Sequence, residues 1–266
     1  MALPLDAALA TLFGYFELGN DVEEVEGGLA RFVGNPSFPG IYDANHGSAV
    51  HAATPEEIER LLAAAGGRFA GLGHLAFKLD PGTPTTFEAR LVLDGWSLEP
   101  ELQLLLKGDL RARRVGDVDI RPVESDDDWR SLLRLTRLDH EEEARKDGRA
   151  AWPLGITEQM VGTKRAKAPA VRFFLASIEA EDCGFFSAWP GPQGLGVGKV
   201  EDLFTAPERR HRGVATALIA HAVADARARG AESVLIGADP HDTPKRMYAA
   251  MGFRPCCVLR TATLAR

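Results

Sequence analysis

One strand–turn–helix segment constrains the fold of this chain more than any other feature. Residues 200–205 read as a strand, a basic turn follows at residues 207–215, and the Ala-rich residues 216–229 predict a helix. The start of such a helix presents unpaired backbone N–H groups and the positive end of the helix dipole to an anion. Gly213 lets the backbone approach an anion closely, because glycine has no Cβ. The segment predicts a phosphate site in an α/β fold, although many helices that begin after a basic turn bind nothing.

The turn lacks the two most common nucleotide-binding patterns, Gly-Lys-Ser/Thr and Gly-x-Gly-x-x-Gly. Residues 210–215 read Arg-x-x-Gly-x-Ala, with Pro207 three residues before the arginine. This pattern resembles the Arg/Gln-x-x-Gly-x-Gly/Ala turn of the GCN5-related N-acetyltransferases, the GNAT superfamily. Residues 248–253 read Tyr-Ala-Ala-Met-Gly-Phe and resemble a second block of that family, Tyr-x-x-x-Gly-Phe. Both blocks occur in the family's order, and the resemblance extends over residues 116–266.

The resemblance implies a mixed α/β sheet of the GNAT fold and acetyl-CoA as the acyl donor, with no metal. It implies that the pantetheine arm of the coenzyme pairs with the backbone of Leu203, Phe204 and Thr205. The diphosphate is expected on the backbone amides of the turn, which comprises Arg210, His211, Arg212, Gly213, Val214 and Ala215. Since these contacts are mostly main-chain, the side chains of Arg210 and Arg212 should matter less than Gly213.

The implied reaction is transfer of an acetyl group to a primary amine. An alkylammonium has a pKa of about 10.4, so it must lose a proton before it attacks the thioester. Glu201, on the strand before the turn, is the candidate base, and Asp202 is the alternative. Successive strand residues point to opposite faces, so only one of the two is expected to face the cleft. Tyr248 matches the tyrosine with which the family protonates the departing thiolate.

Each of these roles has a simpler alternative. A charged residue near a strand edge, such as Glu201, is usually only solvated, and a tyrosine on an amphipathic helix, such as Tyr248, is often a core residue. The family often has Asn seven residues before the tyrosine, whereas this chain has His241. The cofactor contact at that position is therefore in doubt.

The N-terminal part resembles a degenerate copy of the second half of a GNAT domain. In residues 73–96 a strand leads through Thr-Pro to a helix and Gly-Trp, as residues 233–253 lead through Thr-Pro to a helix and Gly-Phe. The N-terminal copy has no Arg-x-x-Gly turn, and Leu91 occupies the position of Tyr248. We therefore predict a degenerate domain at 1–115 and a catalytic domain at 116–266, although chance similarity of strand–helix–strand units remains the alternative.

Local signals also predict the ends of several helices. Thr54, Pro55 and Glu57 form the pattern of a helix start with an N-cap, a first-turn proline and a capping box. That helix is expected to end at Gly66–Gly67. Ser125, followed by three aspartates, predicts the start of another helix.

Charge and cysteine usage restrict the partners. Residues 1–115 hold 9 Lys and Arg against 16 Asp and Glu, so the whole net charge of −7 lies there, and this distribution argues against a nucleic-acid partner. No apolar run reaches the roughly 20 residues that span a membrane, and the first residues do not resemble a secretory signal. Three cysteines, Cys183, Cys256 and Cys257, fit a reducing cytoplasm.

The expected partner is a small-molecule or peptide amine, and the protein is expected to be a soluble monomer or homodimer without nucleic-acid or membrane partners. The acceptor itself is not readable from the sequence. A catalytically weak, acyl-CoA-binding regulatory protein is the alternative from another functional class.

Overall fold

The computed structural model describes residues 4–112, 117–241 and 243–265. The strands in these ranges are β1 Asp21–Glu24, β2 Arg31–Gly34, β3 His46–Ser48, β4 His74–Leu79, β5 Ser97–Lys107, β6 Asp119–Pro122, β7 Arg172–Ile178, β8 Glu181–Trp189, β9 Val197–Thr205, β10 Ser233–Ala238 and β11 Arg254–Ala265. The helices are α1 Pro4–Glu17, α2 Pro55–Arg68, α3 Thr85–Leu93, α4 Asp126–Lys146, α5 Leu154–Lys167, α6 Val214–Ala228 and α7 Pro244–Met251. None of these helices is both long and apolar enough to cross a membrane.

The chain divides into two compact units. The first holds the residues up to Leu104, together with Gly237–Lys245 and the final segment from Pro255. The second holds Leu105–Ile236 and Arg246–Arg254. The last strand, β11, therefore belongs to the first unit from Pro255 onward. The domain boundary predicted at 115/116 falls within residues 113–116, which lie outside the described residues, and it stays a prediction.

The second unit contains a mixed sheet with the strand order β10-β9-β8-β7-β6. Pairing is antiparallel from β6 to β9 and parallel between β9 and β10. Helix α6 connects the two parallel strands, and it packs on β8 and β9 through Leu218, Ile219 and Ala222, which are all fully buried. Parallel strands need a crossover connection. Here α6 provides it, because the chain leaves β9, forms α6 and returns as β10.

The first unit has the strand order β1-β2-β3-β4-β11. Here too a parallel pair, β3 and β4, is connected by a helix, α2, and β11 lies antiparallel to β4. The core of this unit contains aromatic side chains from several elements, namely Phe32, Phe69, Phe77, Phe87 and Trp96. The series β3-α2-β4-α3-β5 repeats the element order of β9-α6-β10-α7-β11, as the sequence similarity predicts.

Helix α2 begins as predicted but ends later. Thr54 accepts a hydrogen bond from the Glu57 backbone while the Glu57 carboxylate returns to the Thr54 backbone, which confirms the capping box. The helix then continues through Gly66 and Gly67 to Arg68, contrary to the prediction. Phe69, which follows it, is buried in the core, so tertiary packing outweighs the weak helix propensity of two glycines.

Candidate active site

The predicted pantetheine-binding segment lies where β9 extends beyond its parallel partner. The recorded pairing of β9 with β10 runs from Val197 opposite Ser233 to Val200 opposite Ile236. Strand β9 itself continues to Thr205. Among the described residues, 201–205 therefore pair with β8 on one edge of β9. On the other edge they lie beyond the last residue that pairs with β10. Backbone groups along such an edge are suited to an extended ligand that adds to the sheet.

A β-bulge interrupts β9 in this segment. Phe204 is opposite Phe185 and Glu201 is opposite Ser187, so Asp202 and Leu203 together face a single residue of β8. Asp202 has a φ of 66°, in the left-handed region. The expectation that Glu201 and Asp202 point to opposite faces is wrong, because the bulge breaks the strict alternation of the strand. Both carboxylates reach lysines on the side of β8 that carries Phe185.

Each candidate base is held by a buried lysine. The Glu201 carboxylate forms an ion pair with Lys199, whose side chain is only 1% exposed. Asp202 Oδ1 lies 2.5 Å from Nζ of Lys164, whose side chain is 7% exposed. A buried ammonium without a partner is costly, so both carboxylates stabilise the fold in addition to any chemical role. The two carboxylates remain about one-quarter exposed and accessible to a ligand.

The turn after β9 has the backbone conformation of an anion site. His211 and Gly213 have φ angles of 62° and 85°, so two left-handed residues flank Arg212. Gly213 is the N-cap residue of α6 and has no side chain with which to cap the helix. Left-handed residues in a turn gather successive N–H groups into a concave nest for anions, and the helix dipole adds to this potential. The Arg210 N–H donates to the Pro207 carbonyl at 3.3 Å. Of the predicted amides, those of residues 211–215 therefore lie at the open helix start.

The Arg210 side chain has a structural role in the turn. Its guanidinium donates to both carboxylate oxygens of Glu142 on α4, at 2.7 and 2.5 Å, and its Nε donates to the Thr205 carbonyl at 3.1 Å. The Arg210 guanidinium holds the pKa of Glu142 below its ordinary value. Arg210 therefore fixes the end of β9 and the turn against α4.

Tyr248 lies on α7 and is only 4% exposed. Its carbonyl accepts the hydrogen bond of the Phe253 N–H at 3.0 Å, and its ring lies 6.1 Å from the Phe253 ring, centre to centre, with the two planes tilted by 57°. Gly252, with a φ of 109°, lets the chain leave the helix. The block that carries the family resemblance is thus a compact helix end that fixes the tyrosine ring, whereas the role of its hydroxyl stays a prediction.

The structure adds a third acidic residue that sequence reasoning missed. Asp139 belongs to the inner stripe of α4, because Leu135 and Glu142, four residues before and three after it, are both buried. Burial, reinforced by repulsion from Glu143, raises the pKa of Asp139 to about 7, and Lys164 opposes this shift. The helical spacing marks Asp139 as an inward-facing carboxylate, but the influence of Lys164 on α5 is a long-range feature.

His140 also points inward and is a structural residue of the helix pair. Its Nδ1 lies 2.9 Å from Thr157 Oγ1 on α5, and its ring meets Trp152 edge-on at 4.9 Å. Burial lowers the pKa of His140 to about 4, so the imidazole is neutral at physiological pH. Among the described residues, no group of three or more His, Cys, Asp or Glu side chains is arranged to hold a metal ion.

Comparison with known proteins gives a family match for part of the chain. Residues 129–253 match the family model "Acetyltransferase (GNAT) family". A search of curated proteins found no match.

Similar solved structures cover nearly the whole chain. A GCN5-related N-acetyltransferase from Kribbella flavida is 16% identical, with a TM-score of 0.66, over 99% of this chain and 96% of that one. A functionally unknown conserved protein from Staphylococcus epidermidis ATCC 12228 is 14% identical, with a TM-score of 0.68, over 92% and 95%. A tandem GNAT protein from the clavulanic acid biosynthesis pathway is 14% identical, with a TM-score of 0.61, over 98% and 94%. The chain therefore has the GNAT fold, and its residues 129–253 form a domain of the GNAT acetyltransferase family.

Proposed function

We propose that this protein transfers an acetyl group from acetyl-CoA to a primary amine. One feature carries the proposal: the strand β9 extends past its parallel partner and leads directly into the open start of α6 at Gly213. An extended pantetheine arm fits the backbone of residues 203–205, and a diphosphate fits the amides of residues 211–215, since the Arg210 N–H is bonded to Pro207. Each hydrogen bond to a charged oxygen contributes roughly 1.5–3 kcal/mol, so three or four of them suffice for useful affinity.

The proposed chemistry uses residues of the second unit. The acceptor ammonium gives one proton to Glu201, directly or through water, and the neutral amine then attacks the thioester carbonyl. The new C–N bond forms as the C–S bond breaks, and Tyr248 donates its phenolic proton to the departing thiolate. The acylated nitrogen then gives up its second proton, which returns Tyr248 to its neutral form. Asp202 is the alternative proton acceptor. The acceptor is a small-molecule or peptide amine, and the acidic surface of residues 1–115 favours cationic molecules.

The odd, sparse set of cysteines favours a reducing compartment, and we propose that the protein acts in the cytoplasm as a monomer or homodimer. Neither nucleic acid nor a membrane is needed for the proposed reaction.

A second candidate function is binding of acyl-CoA without efficient turnover. It is favoured by one observation: both candidate bases, Glu201 and Asp202, are already ion-paired with buried lysines. A protein of this kind would keep the phosphate turn and use coenzyme occupancy as a signal.

Turnover distinguishes the two. Purified protein is incubated with acetyl-CoA and a panel of amines (amino acids, polyamines, aminoglycosides and a peptide N-terminus), and both thiol release and the acetylated product are measured. We expect product with at least one amine, and a large loss with Glu201→Gln. Coenzyme binding without product from any amine would overturn acyl transfer in favour of the regulatory function.

A further inference from the structure

We infer that Lys164 is a positioning residue for acyl-CoA binding: its ammonium holds Asp202 in the bulge of β9 and so sets the register of the segment that pairs with the pantetheine arm. This inference rests on the proposed function. Lys164 lies on α5, a different element from the strand that it restrains. The contact is therefore a tertiary one that no local pattern in the sequence encodes.

The ion pair between Lys164 and Asp202 is close, and its lysine side is buried. Nζ of Lys164 lies 2.5 Å from Asp202 Oδ1, and the lysine side chain is 7% exposed. The same ammonium lies 5.9 Å from the centre of the Phe185 ring, on the strand that pairs with β9. Charge pairs of this kind are weakly screened, and a buried ammonium has a strong preference for a carboxylate over an apolar neighbour.

The partner of Lys164 has an uncommon backbone conformation. Asp202 has a φ of 66°, and left-handed conformations are unfavourable for residues other than glycine, although Asp tolerates them better than most. The side-chain ion pair gives the left-handed state of Asp202 an interaction that an extended conformation would lose. The bulge is thereby stabilised by α5 as well as by the strand itself.

The bulge decides which backbone groups residues 203–205 present. A one-residue change of register moves every following side chain to the other face of a strand and exchanges the edges on which N–H and C=O groups point. With the bulge in place, Phe204 stands opposite Phe185 and Thr205 opposite Gly184. Without it, Leu203, Phe204 and Thr205 would each be displaced by one position, and the ligand edge would no longer match.

A glycine at position 202 separates the effect of the backbone conformation from the effect of the Lys164 charge. Lys164→Met keeps most of the apolar stem but removes the ammonium. Adding Asp202→Gly removes the unpaired carboxylate and supplies a residue that adopts a positive φ readily. Lys167→Met is the matched control, because Lys167 is a second buried lysine on the same helix.

Two measurements on the full chain test the inference. Hydrogen exchange without ligand should show faster exchange of residues 201–205 in Lys164→Met but not in Lys167→Met. Calorimetry should show acetyl-CoA affinity reduced roughly tenfold to a hundredfold in Lys164→Met. The double variant Lys164→Met/Asp202→Gly should recover most of the wild-type affinity for acetyl-CoA.

The outcomes separate this inference from the proposed function. Unchanged affinity in Lys164→Met, an equal loss in Lys167→Met, or no recovery in the double variant would overturn the positioning role. If the wild type fails to bind acetyl-CoA while exchange in β9 still responds to Lys164→Met, Lys164 holds the bulge but the proposed function, and with it the role in coenzyme binding, is wrong.

Discussion

Helices α2 and α6 each connect two neighbouring parallel strands, yet their first turns differ. At α2, the Glu57 carboxylate accepts from the backbone N–H groups of Ala53 and Thr54, Thr54 Oγ1 accepts from Glu57, and Pro55 has no N–H. At α6, Gly213 occupies the N-cap in the left-handed region and contributes no side chain. A helix start that is capped by its own side chains leaves fewer backbone groups for an anion than an open one does. The same architecture therefore carries the proposed phosphate site in one place and a side-chain cap in the other.

The ends of α3 and α7 extend the same contrast. The Trp96 N–H bonds to the Leu91 carbonyl at 3.0 Å, just as the Phe253 N–H bonds to the Tyr248 carbonyl at 3.0 Å. Leu91 and Tyr248 thus occupy matching positions in matching helix ends. At this position the first unit has the apolar side chain of Leu91, which meets the needs of packing. The second unit has the hydroxyl of Tyr248.

The largest effect should come from Tyr248→Phe, which removes this hydroxyl and keeps the ring. We expect turnover to fall roughly 100-fold or more, because the thiolate loses its proton donor. The acetyl-CoA Kd should change little. Steady-state kinetics with calorimetry measures both, and Leu91→Met is the control. Unchanged turnover would remove Tyr248 from the mechanism.

Asp139→Asn tests whether the charged carboxylate of Asp139 destabilises the second unit. Since the pKa of Asp139 is about 7 in the folded protein and 3.8 ordinarily, the native state binds the extra proton between these values. Stability from this group is therefore lost as the pH rises from 4 to 7. Denaturant unfolding should show that the free energy of unfolding of Asp139→Asn, relative to the wild type, is larger at pH 8 than at pH 5 by on the order of 2–4 kcal/mol. Parallel pH dependence in both proteins would contradict the buried, unfavourable carboxylate.

Glu142→Gln should weaken the attachment of the turn to α4. The variant keeps the shape of the side chain but loses the charge that pairs with the Arg210 guanidinium. We expect a loss of about 1–2 kcal/mol in the free energy of unfolding, since Arg210 is partly exposed. Acetyl-CoA should bind more weakly because the turn is less ordered. Full retention of both quantities would show that the backbone of the turn holds its shape alone.

The smallest effect should come from Thr54→Ala at the start of α2. Loss of the N-cap side chain should reduce stability by about 1 kcal/mol. Acetyl-CoA affinity should not change, because this helix start has no role in binding. Chemical denaturation and calorimetry on one preparation measure both, and a matching loss of affinity would erase the contrast between the two helix starts.

The sequence predicts the parts of this molecule that depend on near neighbours. Thr54 and Glu57 form their capping box, and Ser125 caps α4 with Asp128, because those residues contact one another within a single turn. Local patterns also predict the strands on either side of α6, whereas their parallel pairing is a long-range feature.

The parts that escaped prediction depend on contacts between distant elements. The bulge at Asp202 and its lysine from α5 bring together residues 38 apart in sequence, and the Arg210 pair with Glu142 spans 68. No periodicity reveals such pairs. Helix α2 passes Gly66 and Gly67 for the same reason, since the buried Phe69 decides where the helix stops.

Calorimetric titration with acetyl-CoA, using the wild type, Gly213→Glu and Gly194→Glu, tests the central claim most directly. Gly194 shares the positive φ but precedes β9, roughly 25 Å from the turn at its far end. The account predicts a Kd of about 1 μM for the wild type and for Gly194→Glu, and no measurable binding for Gly213→Glu, whose added carboxylate occupies the anion site. Equal binding by both variants, or none by the wild type, would contradict the assignment of the α6 start as a coenzyme site.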